Sequence, residues 1–137
     1  MSTTPHDTIS FAVIGYGPSY NMAPKHIDAI LANDGFALCA VCDTNKDRLD
    51  AAREQYPQAE RFGDVDEMLA KAKPDMVIII TPHNSHAPLA RKCLDSGAHV
   101  VVEKPFMITT DEVKAVLETA KKKKLMVTCY HNRRWDK

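Results

Sequence analysis

Phe11-Ala12-Val13-Ile14-Gly15-Tyr16-Gly17-Pro18-Ser19-Tyr20-Asn21-Met22-Ala23 holds a strand, a turn and the start of a helix in thirteen residues. Four apolar residues of strand character run into a Gly-x-Gly pair, and helical spacing begins at about Ala23. Gly15 permits a tight turn, and Gly17, without a Cβ, lets a ligand approach the backbone. The helix that follows offers unpaired N–H groups and the positive end of its dipole, so the loop is suited to an anion. Tyr20 stands where G-x-G-x-x-G has its third glycine. With three residues inserted, Ala23 takes that role and is small enough for close packing of helix on strand. Gly15, Gly17, Pro18, Ser19, Asn21, Met22 and Ala23 are the first candidates for holding a pyrophosphate.

Outward from this loop, further apolar runs of strand length lie at Phe36 to Cys42, Met76 to Ile80, Val100 to Val102 and Leu125 to Tyr130. Each is nearly continuous, so burial on both faces is expected. Helical patterns fill the intervals. The first spans about Ala23 to Ala32 and ends at Asn33-Asp34-Gly35. Thr44 or Asn45 caps the second, with Leu49, Ala52 and Arg53 at helical spacing. Asp64 caps a short third, with Met68 and Leu69 inward. The fourth runs from about Ala87 to Asp95, with Gly97 just past its end. Thr109 or Thr110 caps the fifth, with Val113, Val116 and Leu117 as its buried stripe and Lys121 to Lys124 complementing the dipole at its end. Strand alternating with helix predicts an α/β fold with a doubly wound, mostly parallel sheet, the Rossmann class, over residues 9–131. Residues 1–8 are expected to be a disordered tail, and residues 132–137 the start of an interdomain segment.

The chain has 137 residues, with 18 basic and 18 acidic ones. That balance gives no field to recruit nucleic acid or an anionic membrane, and no apolar run is long enough to span a bilayer. A cytoplasmic protein with reduced thiols is expected. Cys39 and Cys42 have C-x-x-C spacing, but alternate strand residues face opposite ways and no second ligand pair follows. No metal site is expected.

In a doubly wound sheet the ligand sits at the carboxyl ends of the strands. Asp43 closes the second run, where a carboxylate accepts hydrogen bonds from the adenosine ribose and repels a 2′-phosphate, favouring NAD. Thr44, Lys46 and Arg48 beside it keep NADP open. An ordinary helix-capping role for Asp43 is the alternative. The next run delivers Thr81-Pro82-His83-Asn84-Ser85-His86 to the same edge, and Val100 to Val102 delivers Glu103-Lys104-Pro105.

Gly-x-Gly after the first strand, an Asp after the second, Thr81-Pro82 with His86, and Glu103-Lys104-Pro105 together resemble the Gfo/Idh/MocA oxidoreductases. Tyr130-His131-Asn132-Arg133-Arg134 is similar to the segment joining that family's two domains. The resemblance implies that Glu103 contacts the nicotinamide side of the cofactor and that Lys104 lies beside the substrate hydroxyl or carbonyl as the catalytic residue. It implies that Thr81 and Pro82 line the cofactor channel, that Asn84 lies near the nicotinamide ribose, and that a cis bond precedes Pro105. His86 and His26 stand at family histidine positions, where a structural role is as well supported as a chemical one.

Members of the family continue into a second α/β domain that supplies the substrate pocket and an Asp and a His one helical turn apart, the His serving as the acid-base partner of the lysine. The resemblance therefore implies a cofactor domain for NAD, with NADP as the alternative, acting on a sugar or polyol only with a second domain and inactive by itself. Apolar surface left along the last strand and at Trp135 would favour a homodimer. A non-catalytic dinucleotide-binding or sensing module is the competing reading, and a domain for another nucleotide, such as a methyl donor, leaves Glu103-Lys104-Pro105 unexplained.

Overall fold

The computed structural model describes residues 8–17 and 22–136; Pro18, Ser19 and Asn21, and most of the N-terminal tail, lie outside them. Six strands form one sheet: β1 Ile9–Ile14, β2 Phe36–Cys42, β3 Glu60–Phe62, β4 Met76–Ile79, β5 His99–Val102 and β6 Val127–Cys129. Their order is β3-β2-β1-β4-β5-β6, and every neighbouring pair is parallel. Between them run α1 Met22–Leu31, α2 Lys46–Gln55, α3 Val65–Ala72, α4 His86–Ser96 and α5 Thr110–Lys123. This is the doubly wound sheet that the strand and helix alternation predicts.

Alternation along the central strands divides the core in two. Phe11 and Val13 of β1 pack with Val41, Ile78 and the Ala23, Ile27 and Ala52 side chains of α1 and α2. Ala12 and Ile14 face the other way, joining Val77, Val100 and Val102 with Met68 of α3, Leu94 of α4 and Val116 of α5. Both faces of β1 and β4 are covered, which is why these strands read as unbroken apolar runs.

The helix ends follow from their capping residues. Asn45, not Thr44, caps α2, its side chain accepting the N–H groups of Asp47 and Arg48. Asp64 accepts the Glu67 N–H at the start of α3. Thr109 and Glu112 form a reciprocal capping box on α5, which satisfies two otherwise orphaned donors. Gly97, at φ 97°, closes α4 in the left-handed conformation. At the amino end of the sheet Ser10 and Asp75 are tied to each other. Asp75 Oδ2 accepts both the N–H and the hydroxyl of Ser10 at 2.8 Å, and the Asp75 N–H returns to the Ser10 carbonyl at 3.0 Å. These bonds hold the Asp75 carboxyl below the ordinary carboxylate value.

Four expectations are corrected. β3 has three residues, Glu60-Arg61-Phe62, with one apolar side chain buried, too short and polar to register as a strand in a periodicity reading. β6 is half-buried rather than buried on both faces, because it is an edge strand with no outer neighbour. Leu117 is 47% exposed, and the inward stripe of α5 runs through Val116 and Ala120 instead, one turn apart. A β-bulge shifts the β1–β2 register from Phe11↔Leu38 to Ala12↔Ala40, leaving Cys39 as the extra residue. Cys39 therefore packs against the cluster that holds Cys42, not on the opposite face. All four cysteines are free, and burial pushes the Cys42 and Cys93 thiols up to about 12. Among the described residues no helix is long and apolar enough to cross a membrane.

Candidate functional site

The strand order runs outward in both directions from the β1–β4 seam, so the loops after β1 and β4 part there and leave a crevice at their carboxyl ends. Gly15 lies in it at φ +96°, and a Cβ at that position would sit 2.3 Å from the Ile80 carbonyl oxygen. Only glycine fits such a turn. Its N–H donates to the Cys42 carbonyl at 2.8 Å, fastening the turn to the end of β2.

Tyr16, between the two glycines, is an anchor. Its ring is buried and meets Tyr56 edge-on at 6.5 Å, and its hydroxyl donates to the Gln55 side chain. Burial, and then the charge of Asp28, raise its pKa above the ordinary phenol value. The Tyr16 N–H donates to Asp43 Oδ2 at 2.7 Å, while Asp43 Oδ1 accepts the Asn45 N–H at 2.9 Å. Arg48 Nη1 lies 3.5 Å from the same Oδ2. Asp43 thus joins the glycine turn to the start of α2, and each oxygen keeps a lone pair for a further donor. The guanidinium of Arg48 also covers Gly17, with Nη1 3.4 Å from where a Cβ would stand.

Two cavities of about 360 Å³ each open along this edge. The first has Gly15, Asp43 and Thr44 on its polar side and Cys42, Val65 and Leu89 on its apolar side. The second has Gly17, Met22, His83, Glu103 and Lys104. Arg48, Thr81 and Pro82 border both, so the two form one cleft. Two larger grooves, of about 650 and 800 Å³, contain none of the expected residues. An apolar slot, a carboxylate beside it and a Cβ-free turn between two recesses suit an adenosine, its ribose and a pyrophosphate in that order. Thr44, Thr81, Pro82 and Met22 line the cleft.

Lys104 is exposed at the far end, and the peptide bond that joins it to Pro105 is cis. Glu103 beside it is 8% exposed. Its Oε1 is 2.7 Å from His26 Nε2 and its Oε2 accepts the Lys104 N–H at 3.1 Å. The His26 ring packs edge-on against Tyr130 at 4.3 Å, so α1, the β5 end and the β6 end meet beneath the lysine.

His86 and Asn84 differ from their expected place in the cleft. His86 is fully buried, with Nε2 2.9 Å from the Thr81 carbonyl and Nδ1 2.9 Å from that of Pro105. Both nitrogens are used inside the protein, and the ring stands behind the cleft as a brace between its two loops. Asn84 is exposed on a short 3₁₀ turn, His83–Ser85, whose flanking residues His83 and Ser85 line the cavities in its stead. A turn of three residues per rotation changes which side chain faces inward, and spacing alone does not show that. Ala23, 1% exposed, packs in the cluster that holds Ile27 of α1 and Phe11 and Val13 of β1. The walls formed by Val65 and Leu89 were missed; both lie in the first turn of helices leaving the carboxyl edge, a position that marks them.

Comparison with known proteins adds four observations. The model of an oxidoreductase family with an NAD-binding Rossmann fold, GFO_IDH_MocA, matches residues 9–131. The uncharacterized oxidoreductase YdgJ of Escherichia coli is 30% identical over 95% of this chain and 36% of its own length. The NADP(+) scyllo-inositol 2-dehydrogenase IolW of Bacillus subtilis is 29% identical over 95% of this chain and 35% of its own. Among solved structures, the WlbA dehydrogenase of Chromobacterium violaceum, in complex with NADH and UDP-GlcNAcA, has a TM-score of 0.88 at 28% identity, covering 99% of this chain and 39% of that one. The chain spans less than two fifths of the length of these relatives.

Proposed function

This chain belongs to the Gfo/Idh/MocA oxidoreductase family, as its NAD-binding Rossmann domain, and on that premise we propose that it serves hydride transfer between a nicotinamide cofactor and a sugar or polyol. The observation that carries this reading is Lys104, an exposed ammonium in the same cavity as Gly17 and Glu103. A purely structural lysine has no reason to stand at that end of a dinucleotide cleft.

The bound cofactor would supply the hydride-accepting carbon. The chain's own residues do the rest. Gly15 and Gly17 let the pyrophosphate reach the backbone, Asp43 takes the ribose hydroxyls, and Thr81 and Pro82 border the passage between the two recesses. Lys104 donates a hydrogen bond to the reacting oxygen and exchanges its proton as that oxygen changes between hydroxyl and carbonyl. Glu103, pinned by His26, holds the backbone from which Lys104 projects. NAD is the cofactor assigned, and Arg48 beside Asp43 gives NADP a counter-charge.

Fluorescence titration with NADH is the direct test, because residues 9–131 carry the cofactor half of the site. Saturable binding that Gly17→Val abolishes is expected, and absence of binding at millimolar concentration overturns the reading. Self-association along the β6 edge, where Met126 is 69% exposed, is part of the same proposal and is checked by sedimentation of the chain against Met126→Lys.

A further inference from the structure

Beyond Lys104 lies another recess, of about 300 Å³. It shares Met22, Glu103 and Lys104 with the cofactor cleft but reaches none of Gly17, Arg48 or Thr81, and its remaining walls include Lys25, Asn132 and Arg133. Three cations therefore border it against one carboxylate. That carboxylate, Glu103, is engaged by the His26 ring through Oε1 and by the Lys104 N–H through Oε2. Lys25 and Lys104 have no ion-pair partner among the described residues, and Arg133 has the exposed Asp136 at 3.4 Å. Lys25 also stands in the first turn of α1, where a cation adds to the positive end of the helix dipole instead of offsetting it. Such a set of like charges around one recess attracts an incoming anion.

We propose that this recess takes an oxyanion of the substrate, a carboxylate or a phosphate monoester, with Lys25 and Arg133 as its counter-charges and the Asn132 amide as a neutral donor. The guanidinium of Arg133 suits two oxygens of such a group at once, and Lys25 acts as a point charge. The proposal rests on the hydride-transfer reading and narrows its substrates from sugars and polyols at large to acidic ones. The acid group fixes the sugar at one end, so that a hydroxyl or carbonyl elsewhere on it meets Lys104.

The test uses the full chain saturated with NADH, which fills the glycine turn and so removes it as a competing anion site. Every wall of the recess belongs to this chain, so the acid group can be held without a second domain, and binding of D-glucuronate, D-glucose 6-phosphate and D-glucose is then measured by calorimetry. At least one acid is expected to bind about tenfold more tightly than glucose, with Lys25→Gln and Arg133→Gln each removing most of that difference. The tighter of the two acids identifies the oxyanion as carboxylate or phosphate. Glucose binding as tightly as both acids, no binding of either acid, or acid binding that survives both substitutions overturns the proposal. NADH quenching that persists alongside any of these results leaves the cofactor reading standing, whereas loss of NADH binding overturns both.

Discussion

Asp43 and Tyr16 are joined across 27 positions of sequence by a 2.7 Å hydrogen bond from the Tyr16 N–H to the buried Asp43 carboxylate. The bond makes one side chain responsible for two things, the shape of the glycine turn and the polar wall of the recess beside it. Asp43→Ala leaves the Tyr16 and Asn45 N–H groups without their acceptor, so a loss of about 2 kcal/mol in urea unfolding is expected together with at least about tenfold weaker NADH binding. Asp43→Asn keeps one acceptor oxygen and should recover a good part of the stability.

Arg48 borders both halves of the cleft and lies 3.5 Å from Asp43. Its removal should cost a phosphorylated ribose more than a plain one. Arg48→Ala is expected to weaken NADPH binding about tenfold while changing NADH binding less than about threefold, measured by parallel fluorescence titrations.

Gly15 combines φ +96° with an Ile80 carbonyl that a Cβ would meet at 2.3 Å. Neither atom can give way, since the contact is with backbone. Gly15→Ala should destabilise the fold by on the order of 3 kcal/mol, read as a lower thermal midpoint, and should remove NADH binding even where the chain remains folded.

His86 presents both ring nitrogens to carbonyl oxygens while fully buried. His86→Leu removes the ring N–H and leaves the carbonyl that accepts it, of Thr81 or of Pro105, without that donor. A loss of about 2–4 kcal/mol in urea unfolding is expected, along with faster amide exchange at both loops.

Burial keeps the Cys42 and Cys93 thiols neutral, with the charges of Asp43 and Asp64 adding to it at Cys42, and each is pushed up to about 12 from 9.0. Above pH 9 an unfolded chain loses both thiol protons while the folded chain keeps them, so the unfolded state binds fewer protons and stability falls as pH rises toward 12. Thermal melts should show that decline, and Cys93→Ala should flatten it. Tyr56, raised by burial and by its bond to Asp28, adds to the same alkaline limb.

The sheet was legible because β1, β2, β4 and β5 are buried on both faces and their apolar runs have no other explanation. β3 and β6 carried weaker signals for the same physical reason: an edge strand needs fewer apolar residues. The Gly15 turn, Asp43 and Lys104 could be placed because each sits at a strand end, where the fold leaves few options. The partners of these residues could not. That Asp43 grips Tyr16, that Glu103 faces His26 and that His86 turns away from the cleft are facts of tertiary packing, and residues 27, 77 or 19 positions apart leave no local trace of it.

The reciprocal bonds between Ser10 and Asp75 lie at the end of the β1–β4 seam opposite the cleft. They work like the spine of a book. The two halves of the sheet are bound where their strands begin and stay paired to Ile14 and Ile79 where they finish, so the loops that leave them open like pages from a seam that is closed along its whole length.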